Sequence, residues 1–227
     1  MKVSLISYSK PSKELISEGL YDIQELVAFC ARVSNPSNQL NLESSEKLIK
    51  YLVKHQHWSP LEMVSACLEI TTTRDIARQI LRHRSFSFQE FSQRYADPTK
   101  ELAFVLRDAR LQDVSNRQNS VDLNLGVTEQ RQLAYQWENM QKRVIEVSRE
   151  AYTWAVEHGI AKEQARAVLP EGLTESRLYM NGTLRSWIHY IQLRSANGTQ
   201  KEHIEIAKVC ATVIAEIFPL TTTFVSE

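Results

Sequence analysis

Two stretches of the chain alternate apolar and polar residues, which is the pattern of a β-strand with one buried face. Residues 3–8 form the first stretch. Residues 63–73 form the second, in which Val64, Ala66, Leu68 and Ile70 alternate with polar or small residues. A shorter run at residues 177–180, just before Asn181-Gly182, indicates another strand. The pattern therefore predicts a small sheet.

Apolar residues at three- and four-residue spacing predict helices between these strands. The first three are residues 22–33, a helix that Ser44 or Ser45 caps, and residues 74–81. Later helices are expected at residues 162–168 before Pro170, at residues 183–194, and in a last helix that Pro219 ends and whose inward residues are Ile206, Cys210, Val213 and Ile217.

Residues 128–158 carry the longest helical pattern, which Gly159 ends. Its apolar stripe consists of Leu133, Trp137, Met140, Val144, Val147, Ala151 and Trp154. A stripe of this length exceeds what a small sheet needs to cover it, so it indicates helix packing within a domain or between subunits rather than a cofactor site. Residues 97–126, in contrast, are polar with little periodicity and predict an extended surface loop, either covering a substrate or forming a mobile insertion.

The expected fold class is therefore α+β, with a small antiparallel sheet packed with a helical bundle. At 227 residues the chain fits a single domain over residues 1–227. Lysine plus arginine equals aspartate plus glutamate at 27 each, so no overall field attracts nucleic acid or anionic lipid. Three distant cysteines and the lack of a signal-like or membrane-spanning stretch predict reduced thiols in a cytoplasmic protein.

Candidate chemistry is concentrated in residues 79–95. Arg74, Arg78 and Arg82 recur at four-residue spacing and predict a positive helix face, and the amide of Gln79 can point the same way. From residue 88 the pattern alternates, which places Glu90, Ser92 and Arg94 on one face of a strand. Such a row suits a ligand with a phosphate and a hydrogen-bonding ring. The alternative is a solvated strand face with surface ion pairs.

A metal site is not predicted. His55, His57 and Glu62 lie close together in the sequence, but their spacing does not place them on one helical face.

The segment Arg82-His83-Arg84, followed after seven residues by Ser92 and then Arg94, resembles the signature of the flavin-dependent thymidylate synthases. His57-Trp58-Ser59-Pro60-Leu61-Glu62 is similar to a second stretch of that family, although Met63 stands where a histidine is common. The resemblance continues at Arg166, at residues 183–194, and at Gln200 and Glu202. Thr183 replaces a frequent asparagine, His189 stands where asparagine is common, and Gly198 falls where some members have histidine.

The resemblance implies reductive methylation of dUMP to dTMP, with methylenetetrahydrofolate as carbon donor, NADPH as reductant, FAD as cofactor and no protein nucleophile. It implies Arg194 as the catalytic residue that activates the uracil. The implied flavin-binding residues are His57, Ser59, Arg82, His83, Arg84, Glu90, Thr183, Leu184, Arg185 and His189. The implied dUMP-binding residues are Gln79, Arg82, Glu90, Phe91, Ser92, Gln93, Arg94, Arg166 and Arg194. It also implies a homotetramer with shared sites, without nucleic-acid or membrane partners.

Two other classes stay open. Phe86, Phe88 and Phe91 interleave with the Arg-His-Arg cluster, as stacking groups do in an RNA- or nucleotide-binding module, although the neutral net charge weighs against it. A structural helical subunit without catalysis is the third reading. It would leave Arg82, Glu90 and Arg194 freely replaceable.

Overall fold

The computed structural model describes the main chain over residues 1–224 and the side chains over residues 1–223. These residues form six strands: β1 Lys2–Tyr8, β2 Ser65–Thr73, β3 Ser87–Glu90, β4 Arg110–Gln112, β5 Ser120–Asp122 and β6 Glu175–Thr183. They also form nine α-helices: α1 Lys13–Ser17, α2 Ile23–Ala31, α3 Ser45–Lys54, α4 Arg74–Ile80, α5 Pro98–Glu101, α6 Thr128–Glu157, α7 Lys162–Ala165, α8 Leu184–Ser195 and α9 Lys201–Ala215. About half of the chain is helical and the sheets are small, so the predicted α+β class is confirmed.

Four strands form one sheet in the order β1-β2-β6-β3. In β2 the predicted alternation holds, since Ala66, Leu68 and Ile70 are fully buried. Strand β6 is longer than its apolar run predicted, because Ser176 and Gly182 are also buried at alternate positions. Buried positions occupied by serine and glycine give no hydrophobic signal, and the sequence therefore located only the middle of this strand.

The chain divides into two compact units. The first consists of Met1–Ile70, His83–Gln89 and the chain from Tyr179 onward. In this unit α8 packs on α9, α2 packs on α3, and α9 also packs on β1. Trp187 of α8 is fully buried and donates its indole N–H to the carbonyl of Ala66 at 3.0 Å, which fixes this helix to β2.

The second unit consists of Thr71–Arg82 and Glu90–Leu178. Its core includes Tyr152, Ala155, Ala165 and Leu169, which join α6 to α7 and to the chain that follows α7. Phe104 packs against this cluster from the segment before β4. The expectation of one catalytic domain over the whole chain stays a prediction.

Helix α6 has the predicted length but not the predicted buried face. Leu133, Trp137, Met140, Val144, Val147 and Trp154 are all exposed, whereas Gln141, Ser148, Tyr152 and Ala155 are buried. The stripe is therefore only partly covered within the described part of this chain, and packing between subunits stays a prediction. Periodicity identifies the apolar face of a helix, but it does not identify what covers that face.

Residues 97–126, predicted to form an extended surface loop, contain short regular elements that the polar pattern did not predict. This segment contains α5 and an antiparallel hairpin in which Leu111 pairs with Val121. Gln141 accepts from the main-chain N–H of Arg107 at 2.8 Å and donates to its carbonyl at 2.9 Å, so a buried polar side chain satisfies the loop backbone. The Arg107 guanidinium also donates to Asp75 at 2.7 Å. A substrate-covering role stays a prediction.

All three cysteines are free thiols: Cys210 is buried, and Cys30 and Cys67 are half-buried. Within residues 1–224, no helix is long and apolar enough to cross a membrane.

Candidate active site

In the first unit, Glu62 forms hydrogen bonds with two of the predicted flavin-binding side chains. It accepts from the Arg185 guanidinium at 2.6 Å and from the Thr183 hydroxyl at 2.8 Å. Thr183 is the N-cap of α8 and also accepts from the N–H of Ser186, while the main-chain N–H of Leu184 donates to the carbonyl of Val64 at 3.0 Å. The start of α8 is thereby fixed to the chain just before β2, where Glu62 lies.

The charges of this cluster follow from these contacts. The Arg185 hydrogen bond, and after it the hydrogen bond from Thr183, lower the pKa of Glu62, so the carboxylate stays ionised. Burial, and then the positive charge of Arg185, lower the pKa of His189. His189 lies one turn after Arg185 with its ring edge-on to Trp58, 4.4 Å between centroids. It therefore presents a neutral imidazole near neutral pH, rather than a positive charge for a ligand.

The Arg185 side chain also offers an unused donor. Its Nε atom is buried and has no hydrogen-bond partner among the described residues. A buried guanidinium N–H without a partner is costly unless a ligand satisfies it. An anionic or carbonyl-bearing cofactor such as a flavin nucleotide fits this donor, together with the exposed His57 and Ser59 in the same unit.

Arg32 carries a second unused buried donor in this unit. It is 7% exposed, donates to the hydroxyl of Ser44 at 2.8 Å, and its NH1 atom has no partner within the described chain. Arg32, Lys47 and Tyr51 line a cavity of about 470 Å³. The spacing of residues along the sequence did not mark Arg32, because a single arginine after an apolar helix is usually a surface residue.

Arg194 and His83 meet although they are far apart in the sequence. The Nε–H of Arg194 donates to Nε2 of His83 at 2.8 Å. Since an arginine Nε–H can only donate, Nε2 of His83 is an acceptor here, and the expectation that His83 supplies donors does not hold for this nitrogen. The bond joins the Arg-His-Arg signature to the predicted catalytic arginine.

Phe86 fixes the segment that carries His83 and Arg84. Its ring packs edge-on against Trp187 at 4.8 Å between centroids. A Cβ added at Gly182 would lie 2.4 Å from this ring, so only glycine allows the close approach. The hydroxyl of Ser186 donates to the carbonyl of Ser85 at 3.2 Å. His83 is consequently half-buried, while Arg84 is exposed.

In the second unit, carboxylates neutralise two of the three arginines of the predicted positive face of α4. Arg78 donates to Glu90 at 3.1 Å, and Arg74 lies 3.8 Å from Glu90 and 3.4 Å from Glu171. Ser176 donates to the other Glu90 oxygen at 2.8 Å. Arg74 is 7% exposed, because Glu90 and Glu171 allow it to be buried. Glu90 therefore already has protein donors.

The predicted row of Glu90, Ser92 and Arg94 on one strand face was wrong. Strand β3 ends at Glu90, and the carbonyl of Ser92 accepts from the N–H groups of Tyr95 and Ala96, which turns the chain. Alternation in the sequence continued past the last residue that pairs in the sheet. Arg94 instead forms an ion pair with Glu163 at 3.2 Å.

Gln93 is the most buried of the residues predicted to bind dUMP. It is 3% exposed, and its side-chain nitrogen has no partner in the chain as described. Phe91 and Ser92 are half-buried beside it, and the main-chain N–H of Phe91 donates to the carbonyl of Arg177 at 2.8 Å. An unused buried amide donor beside an apolar ring suits a ligand with a hydrogen-bonding edge.

The remaining predicted residues differ in their exposure. Gln79 and Arg166 are half-buried, and Arg82 is exposed. Arg166 donates to the carbonyl of Glu163, the residue whose side chain pairs with Arg94. The Leu184 side chain is fully buried, and its main-chain N–H already donates to the carbonyl of Val64.

Four residues that organise these groups were not selected from the sequence: Glu62, Glu171, Tyr190 and His203. Glu62 was visible in the motif that begins at His57, but nothing in the sequence indicated that Arg185 would reach it. His203 lies on the same stripe of α9 as Ile206 and Cys210, a position that is typical of a core residue.

The fold and these residues define an α+β protein with buried, unused arginine and amide donors of the kind that hold anionic, ring-containing ligands. Residues 14–220 match the model of the Thy1 family, described as thymidylate synthase complementing protein. The chain belongs to this family.

Relatives agree with this assignment. The chain is 47% identical over 219 residues to a probable flavin-dependent thymidylate synthase of Paramecium bursaria Chlorella virus 1, covering 96% of each chain. It is also 47% identical over 220 residues to a flavin-dependent thymidylate synthase of a Synechocystis strain, again covering 96% of each. Among solved structures, the UMP/dUMP methylase PolB of Streptomyces cacaoi bound with 5-Br dUMP is 27% identical with a TM-score of 0.77, covering 98% of this chain and 93% of that one.

Proposed function

We propose that this chain is a flavin-dependent thymidylate synthase that converts dUMP to dTMP in the cytoplasm. Methylenetetrahydrofolate donates the carbon unit and NADPH supplies the reducing equivalents through FAD. Residues 1–227 act as one catalytic domain in this proposal. Family membership, the names of the relatives and the bromo-dUMP bound in the methylase neighbour support it.

The observation that carries the proposal is the hydrogen bond between Arg194 and His83. It fixes one edge of the Arg194 guanidinium within the protein and leaves its terminal nitrogens for a ligand. A guanidinium beside the uracil imide stabilises the anionic form of the ring, which makes the ring carbon more nucleophilic. Arg194 is then the catalytic residue.

The cofactor would be held by Arg82, Arg84 and Arg185 through its anionic groups, with further contacts from His57, Ser59, His83, Glu90, Thr183, Leu184 and His189. When bound, FAD supplies the two-electron redox chemistry that connects NADPH to the transferred carbon. Glu62 orients Arg185 for this task, and the neutral imidazole of His189 offers a hydrogen bond without adding charge.

The nucleotide would be held by Gln79, Arg82, Glu90, Phe91, Ser92, Gln93, Arg94 and Arg166, besides Arg194. Arg94 and Arg166 suit the phosphate, since an arginine fork matches phosphate oxygens. The free amide donor of Gln93 suits a carbonyl edge of the base. Glu90 already accepts hydrogen bonds from Arg78 and Ser176. Its main role would be to position these two side chains rather than to accept a hydrogen bond from the nucleotide.

The state of the cysteines supports a reaction without a protein nucleophile. Burial raises the pKa of the Cys30 and Cys67 thiols, and burial raises that of the fully enclosed Cys210 well above its ordinary value. A nucleophilic cysteine needs the opposite shift, because the thiolate is the reactive form.

The exposed stripe on α6 supports a homotetramer. Six large apolar side chains on one helix face are more than a monomer surface usually leaves in contact with water. Packing against other copies of the chain would cover them.

The first test is the visible absorption of the protein with FAD, followed by anaerobic NADPH with and without dUMP, and then assay of dTMP. We expect bound flavin that NADPH bleaches at a rate that depends on dUMP. Arg194→Ala should lower the rate of dTMP formation by at least about a hundredfold. The exposed Lys13→Ala, outside residues 97–126, serves as the control for the loss of a positive charge and should leave the rate unchanged. Failure to bind FAD would refute the proposal and favour the nucleotide-binding alternative.

A further inference from the structure

Tyr190 and His203 form a buried, hydrogen-bonded pair of rings next to His83. Tyr190 of α8 is 1% exposed and His203 of α9 is fully buried. The Tyr190 hydroxyl and Nε2 of His203 are 3.1 Å apart. Buried polar groups of this size normally satisfy each other, and here the bond joins two packed helices.

Both rings contact the His83 imidazole. The His83 ring meets Tyr190 edge-on, with 4.9 Å between centroids and 84° between planes. It also meets His203 edge-on, with 6.3 Å between centroids and 90° between planes. Edge-on contacts restrict the plane of a ring more than contacts with flexible aliphatic side chains do. These two edge-on contacts leave the His83 ring little freedom to rotate.

The spacing on α8 connects this pair to Arg194. Tyr190 precedes Arg194 by one helical turn, so the two side chains emerge on the same side of the helix. The Arg194 Nε–H then reaches Nε2 of the same imidazole that Tyr190 contacts. His83 thus lies between the buried pair and the guanidinium.

The buried pair carries no charge near neutral pH. Burial, and after it the positive charge of Arg194, lowers the pKa of His203 to about 3. Burial raises the pKa of Tyr190 well above its ordinary range. A neutral pair neither competes with Arg194 for His83 nor repels the guanidinium.

We propose that Tyr190 and His203 are positioning residues that orient the His83 imidazole and thereby direct the Arg194 guanidinium toward the uracil. The proposal rests on the proposed function only for the role of Arg194. The pair would act through His83, without touching the substrate.

The kinetic test compares variants that keep or remove the hydrogen bond between these side chains. Tyr190→Phe keeps the ring and removes the hydroxyl, whereas His203→Gln keeps a partner for that hydroxyl and His203→Leu does not. We expect Tyr190→Phe and His203→Leu to lower kcat for dTMP formation roughly ten- to hundredfold, with KM for dUMP changed less than about threefold. His203→Gln should recover part of the loss. A merely space-filling role predicts that leucine serves at least as well as glutamine.

Thr221→Val is the matched control. Thr221 is fully buried and donates its hydroxyl to the carbonyl of Phe218 at 2.7 Å, so its substitution also removes a buried hydroxyl bond. It should lower the thermal midpoint about as much as Tyr190→Phe does and leave kcat unchanged. If Tyr190→Phe also leaves kcat unchanged, the pair is structural and the inference is overturned.

A second readout does not depend on activity. In ¹⁵N spectra of histidine-labelled protein without FAD, the His83 signal, assigned by its loss in His83→Gln, should show an unprotonated Nε2. In His203→Leu this signature should become the average of two tautomers. An unchanged His83 signature would overturn the inference even if kcat fell. If the wild-type protein forms no dTMP, the proposed function fails while these spectra still decide whether the pair orients His83.

Discussion

The candidate residues of the two compact units are held in different ways. In the first unit, the buried Tyr190–His203 pair reinforces the bond of His83 with Arg194, whereas the Arg185 and Glu62 side chains of the other pair are 43% and 31% exposed. In the second unit, Arg78 and Arg94 are paired with carboxylates while about half of each side chain stays exposed. Exposed pairs contribute little and exchange partners easily, whereas buried hydrogen bonds keep their geometry.

This difference matches the two proposed tasks, which are activation of the uracil by Arg194 in the first unit and binding of the nucleotide phosphate in the second. A catalytic guanidinium must be oriented before the substrate binds, because a group that the fold already orients needs no reorganisation during the reaction. A phosphate site can instead exchange protein carboxylates for ligand oxygens. Arg74 departs from this division, since it lies in the second unit and is buried.

The largest expected effect concerns Arg74, the buried arginine of the second unit. Arg74→Met removes a guanidinium that is 9% exposed and leaves Glu90, 16% exposed, with one fewer cation. We expect the free energy of unfolding in urea to fall by about 3 kcal/mol. Arg78→Met removes the same charge at a side chain that is 45% exposed and should cost less than about 1 kcal/mol. Equal losses would mean that burial does not distinguish the two arginines.

The second prediction concerns pH and the buried His203. Its pKa is about 3 in the folded protein and about 6.5 when unfolded, so protonation favours the unfolded state. Stability should therefore be lost as the pH falls from about 6.5 toward 3, amounting to about 1.5 kcal/mol between pH 6.5 and 5. Urea unfolding at each pH measures this. His203→Leu should remove most of that slope, and an unchanged slope would contradict the assignment.

The third prediction concerns flavin affinity in the first unit. Arg185→Ala removes a charge-assisted contact and should weaken FAD binding about tenfold, equivalent to about 1.4 kcal/mol. Quenching of flavin fluorescence measures the dissociation constant, and the exposed Lys13→Ala again provides the control. Unchanged affinity would show that the unused Nε–H of Arg185 does not serve the cofactor.

The smallest expected effect belongs to the exposed pair between Arg94 and Glu163, whose side chains are 58% and 49% exposed. Glu163→Gln should change the free energy of unfolding by less than about 1 kcal/mol. It should also strengthen dUMP binding at low salt slightly, because Arg94 no longer has to leave a carboxylate. Calorimetric titration measures the affinity, with the exposed Glu43→Gln as control. Weaker dUMP binding would contradict this view of the pair.

Local patterns predicted those parts of the fold that depend on neighbouring residues. The alternation in β2 and the spacing in α8 were correct because each pattern has a single repeating geometry. The pattern failed where an element ended, and it did not identify what covers an apolar face. β3 stops at Glu90 because the turn at Ser92 replaces sheet pairing, and the α6 stripe stays exposed although its spacing was correctly identified.

The sequence by itself determined the α+β class, most helix positions and the resemblance that marks Arg82, His83, Arg84 and Arg194, because motif residues keep their order along a chain. Only the tertiary structure decided which of these groups meet. Hydrogen bonds such as those of His83 with Arg194 and of Glu62 with Arg185 join residues more than a hundred positions apart. No periodicity reports such distances, since a side chain's partner depends on how the elements between the two residues pack.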